Sequence, residues 1–212
     1  MSGSGTAASV NVANGIAMSS NGDLGLVDGT GLASNYSLNS TVINIAQRVL
    51  NSSGSKTYDA NTDALDADIT LSNLVSGETL NHSGTATLSS ANAGSYTISN
   101  LTGISIADNA GLASNYTLTG GTHNFTVNPK VVSIQGNKTY DGNTTINTSD
   151  ITAIVDTVGS ETLVMSSGTG TTSSQNAATY TSASINEGSL TLGDGTGLAS
   201  NYTLTGHAAS TF

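Results

Sequence analysis

Short runs of alternating apolar and polar residues recur along the whole chain, and no stretch sustains a 3.6-residue period. Alternation puts every second side chain on one face, so these runs read as half-buried β-strands. Residues 10–12, 42–45, 95–98, 104–106, 131–134, 151–155 and 202–204 are of this kind. Their Thr, Val, Ile and Tyr content suits a pleated surface. Between them stand pairs that tolerate the positive φ of tight turns: Asn14-Gly15, Asn21-Gly22, Asp28-Gly29, Asp141-Gly142 and Asp194-Gly195. Short helical turns are expected only near residues 61–65 and 112–115. The pattern therefore predicts an all-β chain.

The alternation is organised on a longer beat. The string Gly-Leu-Ala-Ser-Asn-Tyr begins at Gly31, Gly111 and Gly197, and Lys-Thr-Tyr-Asp begins at Lys56 and Lys138. Matching positions lie 80 to 86 residues apart. In each complete unit Lys-Thr-Tyr-Asp comes first, and Gly-Leu-Ala-Ser-Asn-Tyr follows about sixty residues later. Self-similarity at a fixed period is the mark of a repeat architecture. Residues 1–47 read as the second half of one unit behind a flexible Met-Ser-Gly-Ser-Gly start. Residues 48–129 read as a complete repeat, and residues 130–212 as another. The single proline, Pro129, falls at the junction, where its fixed φ and missing amide donor suit a linker. A chain that starts in mid-unit is expected to be an excerpt of a longer array. Units of this length with about six short strands suggest tandem small immunoglobulin-like β-sandwiches. A β-grasp repeat is the second choice. A β-helix is the third, because its period would be much shorter.

Composition narrows the function. The formal net charge is −10, with four basic residues: Arg48, Lys56, Lys130 and Lys138. Scattered as they are, they cannot build the cationic face that phosphate counterion release requires, which argues against nucleic-acid partners. Apolar runs fall far short of the roughly 20 residues that cross a bilayer, so no membrane insertion is expected. Cysteine is absent, which removes disulfides, thiolate nucleophiles and thiolate metal sites. Low charge with 36 % hydrophobic residues points to a folded chain with small side chains and a thin core.

The motifs also carry a resemblance. Lys-Thr-Tyr-Asp-Gly-Asn-Thr-Thr from Lys138, with Gly-Leu-Ala-Ser-Asn-Tyr-Thr-Leu from Gly197, resembles the opening and closing signatures of the YDG-type repeats, relatives of the MBG repeats. The likeness extends over essentially the whole chain after Gly5. Such domains recur in very large, filamentous-haemagglutinin-like bacterial surface adhesins. The resemblance therefore implies secretion to the cell surface and a spacer or adhesive role in cell adhesion and biofilm, without naming a ligand. The middle unit has Ala60 where the motif carries glycine.

Within that frame, the residues singled out are Lys56, Tyr58, Asp59, Asn115, Tyr116, Lys138, Tyr140, Asp141, Asn201 and Tyr202, all read as structural rather than catalytic. Tyr36, Tyr116 and Tyr202 are expected to be core tyrosines whose hydroxyls reach a backbone partner. Asp59 and Asp141 are expected to cap turns, as are Asp28, Asp108 and Asp194 ahead of the glycine of Gly-Leu-Ala-Ser-Asn-Tyr. Calcium at the latter is the weaker reading, because the carboxylates are few; no cofactor is expected. Lys56 and Lys138 read as lysines lying over a sheet edge. An isopeptide bond to Asn115 or Asn201, catalysed by Glu78 or Glu161, is the sharper alternative. His82, His123 and His207 share no repeat position and are expected on the surface. Sequons such as Asn115-Tyr116-Thr117 leave glycosylation as a minor reading.

No paired carboxylates, Ser-His-Asp order or phosphate loop supports an enzyme. The expected function is a stalk segment that spaces a distal binding domain from the cell, its partners the neighbouring repeats of a longer chain. The alternative is a module that binds host or matrix glycans, or that assembles with like chains into fibres by strand exchange at exposed edges.

Overall fold

The computed structural model describes residues 1–39, 41–98 and 101–212. It is all-β. Among the described residues the helical segments are three-residue 3-10 turns between short strands. Strands form at Val42–Ile45, Gly94–Thr97, Ile104–Ala107, Ile151–Val155 and Tyr202–Thr203, where alternation placed them. Three details differ. Residues 10–12 form a bend that leads into the strand Ala13–Ser20. Asn14-Gly15 is no turn but an irregularity inside that strand, with Gly15 at φ +67° where the register to Val42–Ile45 shifts. Residues 61–65 hold no helix; Asp63–Leu65 is a strand and the 3-10 turn follows at Asp66–Asp68. Its cause is local, since the Lys56 ammonium takes the Asn61 and Asp63 carbonyls that a helix would have used.

The chain forms two compact units, neither coinciding with one eighty-residue repeat. The first comprises Met1–Ser52, Leu71–Ser83 and Ile104–Thr122. Thr6–Ala7, Ala13–Ser20 and Val42–Ile45 make an antiparallel sheet in that order. Arg48–Val49 runs parallel to Tyr116–Thr117, which ties the start of a repeat to the closing tyrosine of its Gly-Leu-Ala-Ser-Asn-Tyr and the residue after it. Beneath lies a small core of Leu50, Leu80 and Tyr116, flanked by Leu71, Leu74, Ile106 and Leu118.

The second unit comprises Ser53–Thr70, Gly84–Gly103 and His123–Phe212. Lys130–Val131 runs parallel to Tyr202–Thr203, the same closure as in the first unit. Asp63–Leu65 pairs antiparallel with residues 85–87, and Thr145–Asn147 pairs in the same sense with residues 169–171, so the eighty-residue beat is also a beat of pairing. Ser133–Gly136 pairs with Ile151–Val155, and Leu163–Ser167 with Thr191–Asp194. Phe125, Val127, Val132, Ile134 and Ile146 are fully buried.

The core is thin because glycine lets backbone approach where larger residues would hold it off. A Cβ on Gly54 would lie 2.3 Å from the Asp68 carbonyl oxygen and 2.7 Å from the Phe125 ring. Gly136 meets Asp150 and Phe212 in the same way, at 2.2 and 2.6 Å. Ala60, by contrast, holds φ +64° although it is not glycine, matching Gly142 at +76°. An L-residue there carries a cost of about 1 kcal/mol, of which glycine's freer unfolded chain would return roughly half.

Two substitutions check this. Gly54→Ala is expected to cost about 2 kcal/mol through overpacking. Ala60→Gly is expected to stabilise by roughly 0.5 kcal/mol. Denaturant midpoints read both, and a neutral Gly54→Ala would mean that the Asp68 carbonyl and the Phe125 ring leave room for a methyl group.

Candidate functional site

The residues singled out from the sequence gather at two kinds of place. The first is the Lys-Thr-Tyr-Asp turn. Lys56 Nζ donates to Asn61 O (2.9 Å), Asn61 Oδ1 (2.7 Å) and Asp63 O (2.8 Å), and pairs with Asp59 Oδ1 at 2.8 Å. Asp59 in turn accepts the Asn61 backbone N–H and side-chain amide. Lys138, Asp141, Asn143 and Thr145 repeat the pattern atom for atom. The Lys56 side chain is 7 % exposed. It is therefore not lying over an edge but sealed inside its own turn, with its donors shared among oxygens, which is what makes burying an ammonium tolerable. Asp141 sits below the usual carboxylate range because the Lys138 ammonium hydrogen-bonds it, helped by the Asn143 amides. At Asp59 burial pushes upward, but Lys56 and Asn61 outweigh it and the net shift is downward.

The second place is built by Asn-Tyr and the glutamate. Asp108 Oδ1 and Asp194 Oδ1 accept the N–H of Ala113 and Ala199, and Asp28 Oδ1 that of Ala33, so the aspartates fix the 3-10 turns Ala113–Asn115, Ala199–Asn201 and Ala33–Asn35. Among the described residues no three His, Asp or Glu converge as a metal site. From this turn Tyr116 enters the core, donating to Glu78 Oε2 and accepting Val75 N–H at 3.1 Å. Tyr202 donates to Glu161 Oε2 and accepts Val158 N–H at 3.0 Å. The backbone partner expected for these tyrosines is present. Tyr36 departs from the expectation: it is 69 % exposed, and no glutamate stands behind Gly31. The glycine of the motif is explained by the same carboxylate, since a Cβ on Gly111 or Gly197 would fall 2.6 Å from Glu78 Oε2 or 2.5 Å from Glu161 Oε2.

In the second unit this site reaches the preceding repeat. Tyr58 donates to the other oxygen of Glu161 at 2.7 Å, and its ring meets Tyr202 edge-on at 5.3 Å. Asn201, 1 % exposed, accepts the Ala93 N–H at 2.8 Å and donates to Asn92 Oδ1 at 3.0 Å. The first unit holds the same joint: Asn115 accepts the Val12 N–H at 2.9 Å and donates to Asn11 Oδ1 at 3.0 Å. That contact is why residues 10–12 bend instead of pairing. The receiving loop is itself held, because Ser9 Oγ and Ser90 Oγ accept the Asn11 and Asn92 N–H. Gln47 adds bonds to the carbonyls of Ser114 and Tyr116.

Burial raises the Tyr58 hydroxyl above its ordinary value, and Glu161 adds to it; Tyr202 is pushed up to about 12 by burial and then by Glu161. Tyr116 is raised first by its hydrogen bond to Glu78 and then by burial. The remaining candidates separate. Lys138 and Asn201 bind different partners and are not brought together, so the geometry supplies no isopeptide pair there. Asn115 spends its amide oxygen on the Val12 N–H and one of its two amide hydrogens on Asn11 Oδ1. The histidines were expected on the surface, but His123 is buried and the His207 side chain is 5 % exposed. Residues 123, 125 and 127 share the inward face of His123–Asn128, so alternation carries the histidine in with Phe125.

Sequence reasoning missed the joint because its two halves lie 103 to 109 residues apart. A signal was present: Ser-x-Asn recurs at Ser9–Asn11, Ser90–Asn92 and Ser174–Asn176. In comparison with known proteins, a YDG domain is found at residues 46–124. No curated protein and no solved structure matches the chain.

The tyrosines give the joint a pH signature. Each has a folded pKa above its unfolded value of about 10, so the folded state holds the proton more tightly. That stabilisation is whole below pH 10 and drains away as pH rises from 10 towards 12. Tyr202→Phe is expected to lower stability by about 1–2 kcal/mol at pH 8 and to flatten the decline above pH 10. An unchanged alkaline slope in thermal melts of the variant would contradict the assignment.

Proposed function

We propose that this chain, with the YDG domain in its middle, is a stalk segment of a secreted bacterial surface adhesin, made of tandem immunoglobulin-like repeats that space a distal binding domain from the cell. It is not an enzyme and takes no cofactor. The observation that carries this reading is the repeated joint. The same asparagine bonds the same two atoms of a preceding loop at Asn115 and again at Asn201. A catalytic or ligand-binding protein has no need to reproduce a joint at the period of its own repeat, whereas a spacer needs little else.

Magnitudes support a joint that matters. At Glu161 and Asn201 three hydrogen bonds at roughly 1 kcal/mol each and an edge-on ring pair at about 1 kcal/mol give on the order of 4 kcal/mol. An eighty-residue module has a stability of about 4–12 kcal/mol in all. Repeats so joined are stabilised by their neighbours as much as by themselves, which is the behaviour of a linear array. The low charge suits an exposed, soluble surface without affinity for polyanions.

Pulling the chain by its two ends tests the reading. A stalk is expected to resist force and then to extend in steps of about 25–30 nm, the length of eighty residues drawn out. Smooth extension without steps would sink it. Saturable binding to a panel of host and matrix glycans would replace the spacer with a binding module.

A further inference from the structure

The joint has a third receiving face, and that face is empty-handed. In the second unit Ser174 Oγ accepts the Asn176 N–H and Tyr180 donates to the Asn176 carbonyl at 2.6 Å. The bonds Asn92 N–H to Ser90 Oγ and Tyr96 to the Asn92 carbonyl, also 2.6 Å, are the same arrangement. There, the loop so held receives Asn201 on Asn92 Oδ1 and the Ala93 N–H. Here the matching atoms, Asn176 Oδ1 and the Ala177 N–H, are exposed and unbonded. Tyr140 stands in for Tyr58: the latter is 6 % exposed against Glu161 and Tyr202, while Tyr140 is 63 % exposed. Tyr140, Asn176 and Ala177 line one open cavity of about 160 Å³, with Phe212 at its wall.

From these matches we infer that the face formed by Tyr140, Asn176 and Ala177 is a docking site for a further repeat of this kind, one that carries both the glutamate and the Asn-Tyr pair. The inference rests on the stalk reading and adds to it the partner, its side chains and the direction of joining. Its asparagine accepts the Ala177 N–H and donates to Asn176 Oδ1. Its glutamate accepts the Tyr140 hydroxyl, and its tyrosine meets the Tyr140 ring edge-on. The glutamate decides the occupant. The motif at Asn35–Tyr36 has none behind it, and Tyr36 is exposed. A second copy of this chain offering that motif would leave Tyr140 without its acceptor.

The test extends the full chain beyond Phe212 with a second copy of its residues 126–212, which continues from Phe212 as the chain continues from Phe125. Amide exchange is then compared in the two chains. In both, Val12 and Ala93 are expected to be protected. Ala177 is expected to exchange freely in the original chain and to gain at least about 100-fold protection in the extended one. Asn176→Ala is expected to abolish that gain and to lower the melting temperature of the extended chain while leaving the original unchanged. Fast exchange at Val12 and Ala93 would remove the interior joints and the stalk reading with them. Protected Val12 and Ala93 with Ala177 still free, or an appended repeat that fails to fold, would overturn the docking site alone. Protection of Ala177 in the original chain at high concentration would overturn the requirement for the glutamate.

Discussion

A backbone N–H that packing shields from water must find an acceptor, and for one loop amide that belongs to no sheet this chain supplies it from the next repeat. The Ala93 amide has no strand partner, and the carbonyl of the Asn201 side chain is brought to it. Asn201 has in turn been stripped of water, being 1 % exposed, so its own NH₂ must be satisfied, and Asn92 Oδ1 does so. Without the loop Asn201 would be a buried, unpaired amide, whereas the Asn92 oxygen and the Ala93 N–H would turn to water. That need is why an otherwise ordinary Asn-Tyr dipeptide sits behind a fixed 3-10 turn. The aspartate before it accepts the Ala199 N–H, and the turn presents Asn201 outward to the loop and Tyr202 inward to Glu161.

The glutamate couples the two directions. One oxygen of Glu161 takes Tyr202 from its own repeat, and the other takes Tyr58 from the preceding one. A carboxylate shared between two neutral hydroxyls needs no cation, which fits a chain with four basic residues. It also explains why glycine opens the motif, because the carboxylate occupies the space of a Cβ. The lysine, which sequence alone offered as a partner for asparagine, is used up in closing its own turn.

The class of the fold and the eighty-residue beat were legible in the sequence because period-two alternation and exact motif recurrence are local properties. The Lys-Thr-Tyr-Asp turn was legible for the same reason; all its bonds fall within seven residues. The pairing of Tyr58 with Glu161 was not, since it joins residues 103 apart, and neither motif contains the other. Positions were likewise misread where tertiary contact outweighs local pattern. Residues 10–12 alternate like a strand, but their amide is claimed by Asn115. His123 looks like a polar outlier, yet it shares a strand face with Phe125 and Val127. The exposed Tyr36 shows the reverse: the same six-residue string, lacking its glutamate, no longer buries its ring.

The joint also has a direction, and direction constrains what it can build. One side consists of Tyr58, Asn92 and the Ala93 amide; the other consists of Glu161, Asn201 and Tyr202. The two surfaces share no residue and are not self-complementary, so a two-fold pairing of like faces cannot satisfy them. A heterologous contact of this sort adds units one after another and closes only if the rotation between them happens to complete a ring. Tethering in one chain raises the effective concentration of each face for the next, so bonds too weak to hold separate molecules suffice between covalently linked repeats.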